Sequence, residues 1–224
     1  MTAAIIETDG QAIVLNLSNG AQLCGRDIAG LDVATLGDLI ERTMAEAGTA
    51  FAFGRYAETR ELYNNEDFAG DGSDESRTIH MGIDLFCTAD SAVCAPLDGT
   101  VEHVANNARE LDYGPMIILR HDDAGGGDFF TLYGHLSLDT LERVAAGQKI
   151  RAGEQIASIG VPPTNGNWPP HLHFQLIHDL LGLGVDFPGV AYKSKQDYWL
   201  ELSPSPARFF PECAADLLEY STCN

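Results

Sequence analysis

The stretch Arg77–Phe86, RTIHMGIDLF, constrains the fold and chemistry of this chain more than any other segment. As a single β-strand, it would place His80, Gly82 and Asp84 on one face and four apolar side chains on the other. The polar face then offers an imidazole and a carboxylate, which are ligands that suit zinc. Because Gly82 has no side chain, we expect a metal ion or a substrate to approach the sheet closely there.

Two later stretches add imidazoles to strand faces of the same kind. In Trp168–Gln175, WPPHLHFQ, strand alternation puts His171 and His173 on one face, and Phe129–Ser137, FFTLYGHLS, carries His135. Each histidine alone would be an ordinary hydrogen-bonded residue. Together with the pair on the first strand, they form a set that is typical of metal or catalytic sites.

The charge of the chain excludes several classes of partner. Its 33 acidic residues against 13 basic ones give a net charge of −20, which repels phosphate backbones and anionic lipid. We therefore expect no nucleic-acid partner and no membrane-surface role. No stretch has the length of a membrane span, which argues against membrane insertion. The N-terminus lacks a basic region before an apolar run, so we expect a cytoplasmic protein, or a periplasmic one if another export route is used.

The cysteines do not predict a disulfide framework. Their number is odd and no CxxC occurs, so reduced thiols are expected. Cys87 and Cys94 flank a short loop and could approach each other, but a bridge between them is not expected. The five cysteines are Cys24, Cys87, Cys94, Cys213 and Cys223.

The chain predicts a small α+β piece followed by a β-rich region. Residues 3–24 are expected to form a hairpin with a turn at Asn19-Gly20, and residues 31–48 an amphipathic helix that Gly48 ends. Residues 51–68 favour a short helix or an irregular arm, followed by an exposed loop at residues 69–76. From Thr78 onward, short strands alternate with turn signals, with a compact hammerhead-like turn around Gly147 and Gly153.

At this point the sequence resembles the lysostaphin-type zinc metalloendopeptidases, which cleave peptide bonds in bacterial cell-wall peptidoglycan. The motifs that carry the resemblance are HxxxD at His80–Asp84, Tyr-Gly-His ending at His135, and HxH at His171–His173. The segments Ala95–Val101 and Gly147–Gly160 also look like the strands and glycine turns of that family. The resemblance covers roughly residues 78–178.

The resemblance implies the roles of five residues. His80, Asp84 and His173 would hold one Zn²⁺ ion, and His135 and His171 would be the unligated catalytic pair. Three protein ligands leave a position for water, as catalytic zinc requires. How the two catalytic histidines divide the acid and base roles does not follow from the sequence.

The resemblance also implies a domain organisation. Residues 77–180 would be the peptidase domain, mainly β with an antiparallel sheet core of the duplicated-hybrid-motif type. Residues 1–50 would be the small N-terminal hairpin and helix, residues 51–76 a connecting arm and loop, and residues 181–224 a loop-rich extension packed on the peptidase domain.

Weaker candidates surround this set. Tyr133 is either a donor to a developing oxyanion or a packing residue, and Asn165, Asn167 and Trp168 lie in a loop where substrate-contacting residues are common. Three arginines could pair with a substrate carboxylate, although surface salt bridges are favoured for them. They are Arg55, Arg60 and Arg77.

Three functions follow from these observations. The leading one is hydrolysis of a peptide bond in peptidoglycan or a related peptide. A second resemblance, to the peptidase module in fusions with kinase-like and class-III aminotransferase domains, favours an intracellular zinc hydrolase of a small amide or peptide. The third is a non-catalytic binding or activator module of the same fold. The oligomeric state is not predicted.

Overall fold

The computed structural model describes residues 2–8, 12–60, 75–123, 126–211 and 216. Within these residues the chain is mainly β, which confirms the predicted fold class. The strands are β1 (Ile13–Val14), β2 (Gln22–Leu23), β3 (Arg26–Asp27), β4 (Ala52–Gly54), β5 (Arg77–His80), β6 (Ile83–Phe86), β7 (Ala92–Cys94), β8 (Gly99–Asn107), β9 (Gly114–Asp123), β10 (Gly127–Gly134), β11 (Lys149–Ile150), β12 (Gln155–Ser158), β13 (His171–Ile177) and β14 (Val190–Tyr192). The helices are α1 (Val33–Ala47), α2 (Thr140–Arg143) and α3 (Gln196–Leu202), and short 3₁₀ turns lie at Gly184–Asp186, Lys193–Lys195 and Pro206–Phe209.

An eight-stranded sheet organises the molecule, in the order β1-β4-β6-β13-β10-β9-β8-β11. Its pairs are antiparallel except for β1 with β4, which is parallel. The register places His173 of β13 between Asp84 of β6 and Gly134 of β10, and Asp84 also lies opposite Gly54 of β4. The centre of the sheet thus brings the predicted ligands onto adjacent strands.

The stretch RTIHMGIDLF is not one strand, which corrects the first prediction. It forms β5 and β6, separated at Met81 and Gly82. Strand β5 pairs with β14 in a separate two-stranded sheet, whereas β6 lies in the main sheet. The apolar residues consequently divide between two clusters: Met81 packs with Ala191, and Ile83 joins the main core.

The N-terminal hairpin expected for residues 3–24 does not form among the described residues of that range, 3–8 and 12–24. Strand β1 instead pairs in parallel with β4, and a short β2–β3 ribbon follows the turn at Asn19-Gly20. Residues 52–54 are therefore a strand of the main sheet rather than a helix or an irregular arm. The local pattern could not show this, because β1 and β4 are joined by a crossover that contains α1.

Helix α1 agrees with the prediction for residues 31–48. The carboxylate of Asp32 accepts a hydrogen bond from the Thr35 amide at its start, and Gly48 ends it with φ 68°. Leu36, Leu39 and Ile40 are buried in a cluster with Ala52 and Phe86 of the main sheet.

The C-terminal part packs on the sheet as far as it is described. Phe209 and Phe210 lie edge-on to Phe174 of β13. Cys213, Cys223 and residues 61–74 lie outside the described residues. The three cysteines that the structure describes are free thiols.

The four-part division of the chain stays a prediction, and the main sheet takes strands from the first three of the predicted segments.

Among the described residues, no helix is both long enough and apolar enough to span a lipid bilayer.

Candidate metal centre and active site

The ends of neighbouring strands bring the five predicted residues into one site. His80 ends β5, Asp84 lies in β6, and His171 and His173 lie in β13. His135 directly follows β10 with φ 63°, a conformation that is uncommon for a residue with a side chain. Backbone hydrogen bonds from the His135 amide to Tyr113 and from the Gly160 amide to His135 hold it there.

Three ligand atoms converge at the centre of the site. Nε2 of His80 lies 3.0 Å from Nδ1 of His173 and 3.1 Å from Oδ1 of Asp84, and the remaining edge, from Nδ1 of His173 to Oδ1 of Asp84, is 3.2 Å. All three residues are buried.

This triangle fits a zinc ion. A tetrahedral centre with metal–nitrogen bonds of about 2.0–2.1 Å separates its ligand atoms by about 3.3 Å, close to the three edges observed. Two imidazoles and a carboxylate are also a donor set that zinc accepts. We therefore assign His80, Asp84 and His173 as residues able to hold a divalent metal.

Hydrogen bonds fix which nitrogen of each ligand histidine faces the centre. His80 donates from Nδ1 to the Arg55 carbonyl at 2.9 Å, and His173 donates from Nε2 to Oε1 of Gln175 at 3.0 Å. The other nitrogen of each ring then presents its lone pair inward. The sequence did not indicate that Gln175 orients His173.

A buried arginine holds the carboxylate ligand. Nη1 of Arg60 lies 2.6 Å from Oδ2 of Asp84, and Nε of Arg60 lies 2.9 Å from Oε2 of Glu58. Burial disfavours an ionised Asp84, but the positive charge and hydrogen bonds around it, from His80, Arg60 and His173, hold its pKa well below the usual range.

The expectation of a surface salt bridge is therefore wrong for Arg60, which is 2% exposed. Its neighbour Arg55 reaches the site through its backbone carbonyl, and Arg77 lines the cavity over the metal ligands. Sequence reasoning missed Glu58 altogether.

The second pair of histidines lies beside the ligands. The rings of His135 and His171 are 4.4 Å apart, and Nε2 of His171 is 3.7 Å from Oδ1 of Asp84. Nδ1 of His135 donates to the Asn165 carbonyl at 2.9 Å, and Nδ1 of His171 to the Pro169 carbonyl at 2.6 Å. Each ring thus keeps Nε2 available for proton transfer.

Both rings are kept neutral by their surroundings. Burial lowers the pKa of His171, and burial together with the nearby His171 lowers that of His135 well below its ordinary value. Burial, reinforced by the charge of Arg60, also lowers the pKa of His80 to about 4. Neutral imidazoles are the form needed both for binding a metal and for accepting a proton.

A cavity of about 320 Å³ opens over these residues. Trp168 lines it, and the centre of its ring lies 5.9 Å from that of His135; contact of Trp168 with substrate stays a prediction. Tyr113, which sequence reasoning missed, also lines it, with its ring 5.5 Å from that of His173.

Three weaker candidates do not line the cavity. Tyr133 is fully buried on the core side, where it packs against Phe174, so the expectation that it contacts substrate is wrong. Asn165 is also buried, and its side chain donates to the Trp168 carbonyl at 2.9 Å. Asn167 is exposed and donates to Glu110, a residue of the cavity rim.

Gly82 has a role that differs from the one predicted. A β-carbon at this position would lie 2.6 Å from Cε1 of His173 and 2.8 Å from the Phe174 carbonyl oxygen. The space beside Gly82 therefore admits the ring of a metal ligand, rather than the metal or the substrate.

Comparison with known proteins agrees with this geometry. Residues 78–184 match the family model "Peptidase family M23". This segment, just under half of the chain, is similar to the M23 peptidases. The M23 family is the family that the motifs predicted, so the predicted resemblance is confirmed. All five residues of the metal centre and the histidine pair lie within the matched segment.

Parts of the chain are also similar to curated and solved proteins. An uncharacterised metalloprotease of Haemophilus influenzae is 40% identical over 96 residues, which are 43% of this chain and 18% of that protein. The chain thus spans less than a fifth of the length of that curated relative.

Two solved structures are similar to about half of this chain. The catalytic domain of lysostaphin from Staphylococcus simulans is 22% identical, with a TM-score of 0.36, over 54% of this chain and 79% of that domain. A zinc-containing peptidase from Vibrio cholerae is 22% identical, with a TM-score of 0.36, over 50% of this chain and 34% of that chain.

Proposed function

We propose that this protein is a zinc-dependent peptidase that hydrolyses a peptide bond in peptidoglycan or a related peptide. The observation that carries the proposal is the convergence of His80, Asp84 and His173 to within 3.2 Å of one another, beside two neutral histidines at the floor of an open cavity. All five residues that the motifs require are present and assembled.

The chemistry divides between the metal and the histidine pair. When bound, zinc makes a water molecule acidic enough to act as a nucleophile near neutral pH and polarises a carbonyl. Nε2 of His171 and Nε2 of His135 are the atoms placed to take a proton from the attacking water and return one to the departing amine. Their Nδ1–H groups stay bound to backbone carbonyls, so the rings keep their orientation through the reaction.

Digestion of purified peptidoglycan alongside a library of short peptides, with product masses as the readout, tests the proposal. Wild-type protein should contain one zinc per chain and release defined fragments, and His80→Ala should lose the metal. If the purified protein holds no zinc, or hydrolyses neither type of substrate, the proposal is wrong.

A second candidate is an intracellular zinc hydrolase of a small amide or peptide. The modest cavity favours it, because about 320 Å³ is at the lower end of the range for small-molecule sites, and the five site residues are each at most 6% exposed. Cleavage confined to the short peptides of the library would support this candidate over a wall hydrolase. The cytoplasmic location and the relation to fusion proteins stay predictions.

A purely non-catalytic module is the third candidate. It is disfavoured because no ligand and neither histidine of the pair is replaced. Hydrolysis that disappears in His171→Ala would exclude it.

A further inference from the structure

Residues 55–60 lie along β5 and complete the surroundings of the metal ligands. The Ala57 amide donates to the His80 carbonyl at 2.7 Å, the His80 amide to the Glu58 carbonyl at 3.0 Å, and the Arg60 amide to the Thr78 carbonyl at 2.9 Å. These hydrogen bonds fix the segment in register with the strand that ends at His80. Both Arg55, through its carbonyl, and Arg60, through its guanidinium, therefore face a ligand.

The guanidinium belongs to a buried chain of charged hydrogen bonds. The Leu17 amide donates to Oε1 of Glu58 at 2.9 Å, the other oxygen of Glu58 accepts from Nε of Arg60, and Nη1 of Arg60 reaches Oδ2 of Asp84. Glu58 is 4% exposed. Gly54 makes room for this arrangement, since a β-carbon there would lie 2.7 Å from Nη2 of Arg60.

The two oxygens of Asp84 consequently have different partners. Oδ1 points to the ligand triangle, whereas Oδ2 is held by Arg60. A guanidinium held on one oxygen favours binding of a metal through the other oxygen, which would leave the remaining coordination position to water. Residues 54–60 and Leu17 all precede the matched segment 78–184.

We propose that Arg60, anchored by Glu58, is a positioning residue that keeps Asp84 a one-oxygen metal ligand and thereby sets metal affinity and coordination number. The proposal rests on the zinc centre of the proposed function. Arginine suits this role because its rigid planar fork donates in two fixed directions at once, whereas the ammonium of a lysine has no such fork to fix the two carboxylates.

Zinc affinity measured by competition with a chromophoric chelator tests the role of Arg60. Arg60→Gln should weaken zinc binding by about 10–100-fold, the usual effect of losing a partner of a metal ligand. Arg60→Lys, which keeps the charge and loses the fork, should fall between that variant and wild type. Arg120→Gln is the matched control, because Arg120 also pairs with carboxylates, Glu102 and Asp128, but at the sheet surface away from the cavity.

The visible spectrum of the Co²⁺-substituted protein is a second measurement. It would not change if Arg60 only stabilised the fold. Freed from Arg60, Asp84 can bind through both oxygens, and the resulting higher coordination number weakens the absorption of Co²⁺. Circular dichroism and a urea midpoint on each variant show whether it is folded. If Arg60→Gln does not fold, Glu58→Gln decides. It removes the negative charge beside Arg60 and one of the two oxygens that accept from Leu17 and Arg60, and it should weaken zinc binding several-fold.

Folded Arg60 variants that keep wild-type zinc affinity and a wild-type Co²⁺ spectrum would overturn the proposal. So would Glu58→Gln with both properties unchanged, if the Arg60 variants do not fold. Loss of affinity in Arg120→Gln as large as in Arg60→Gln would also overturn it, by showing a general loss of stability. Wild-type protein without zinc affinity would refute the proposed function instead, so the two failures are distinguishable.

Discussion

At the scale of single residues, each imidazole of the site is fixed in orientation by a hydrogen bond from one of its ring nitrogens. In His80, His135, His171 and His173, one ring nitrogen donates to an oxygen of the protein, three times to a backbone carbonyl and once to Gln175. The free lone pairs therefore cannot turn away from the cavity without breaking a buried hydrogen bond, which costs about 1–3 kcal/mol. The site is preorganised for metal and proton chemistry.

Replacing His171 should separate catalysis from metal binding. We expect His171→Ala to keep its zinc and to lose about 10²–10⁴-fold in hydrolysis, the usual contribution of a positioned acid or base. Metal analysis and peptide turnover on the same preparation measure the two effects. His178→Ala, which alters an exposed histidine one residue beyond β13, is the control and should retain both properties. Full activity in His171→Ala would remove this residue from the proposed mechanism.

A methyl group at Gly82 should disturb the metal centre directly. Gly82→Ala would force the ring of His173 or the Phe174 carbonyl to move, so we expect a loss of about 1–3 kcal/mol in the free energy of unfolding and weaker zinc binding. Urea unfolding and chelator competition measure these changes. Gly147→Ala is the control: its φ of 84° strains the backbone, but nothing lies within 4 Å, so stability should fall while zinc affinity stays the same. Unchanged zinc binding in Gly82→Ala would contradict the inference that the space beside Gly82 is needed for the ring of His173.

At the scale of elements, local sequence patterns predicted the features that belong to one strand or helix. They did not predict contacts with segments that are distant in sequence. Alternation placed His171 and His173 on one face of β13, and the helix period with Gly48 located α1. Nothing near Arg60 indicated its partner, because the contact with Asp84 depends on the pairing of residues 55–60 with β5. For the same reason, β1 could not be assigned to β4, since a parallel pair carries no turn signal.

Strand β9 contains a buried histidine, His121, that should make folding stability depend on pH. His121 is held between the Asp98 carbonyl and the hydroxyl of Thr131, and burial lowers its pKa below the ordinary 6.5. Below about pH 6.5 the imidazole of His121 binds a proton in the unfolded chain but not in the folded chain. The contribution of His121 to the free energy of unfolding should therefore be fully present above that pH and decrease as the pH falls.

Urea unfolding of the metal-free protein at about pH 8 and about pH 5.5 measures this dependence. His121→Gln should be less stable than wild type at the higher pH and should lose less on acidification. His178→Gln, at an exposed position, is expected to keep the wild-type dependence. An identical pH dependence in His121→Gln would show that His121 does not contribute.

At the scale of the whole molecule, the main sheet extends well beyond the M23 segment. Strand β4 covers the edge of β6, Phe53 packs edge-on against Phe210, and both phenylalanines belong to the main core. The segment 78–184 taken alone would lose these residues and expose the strand that carries Asp84. A long, exposed apolar edge is an aggregation hazard.

Truncation should therefore abolish folding. We expect residues 78–184 expressed alone to aggregate or to lack a cooperative unfolding transition, with no zinc binding at micromolar metal. Residues 12–211, which retain every strand of the sheet, are the control and should unfold cooperatively and bind zinc. A cooperative, zinc-binding segment 78–184 would show that the preceding strands and Arg60 are dispensable.

The contact between Arg60 and Asp84 has a consequence for exchanging segments between proteins of this kind. A chimera that keeps residues 78–184 of this chain and takes the preceding residues from another protein would retain the five site residues but replace Arg60 and Arg55, which contact two of the ligands. Although the recombinant would keep every ligand, the role proposed for Arg60 predicts that its metal affinity would depend on the parent that supplied no ligand at all.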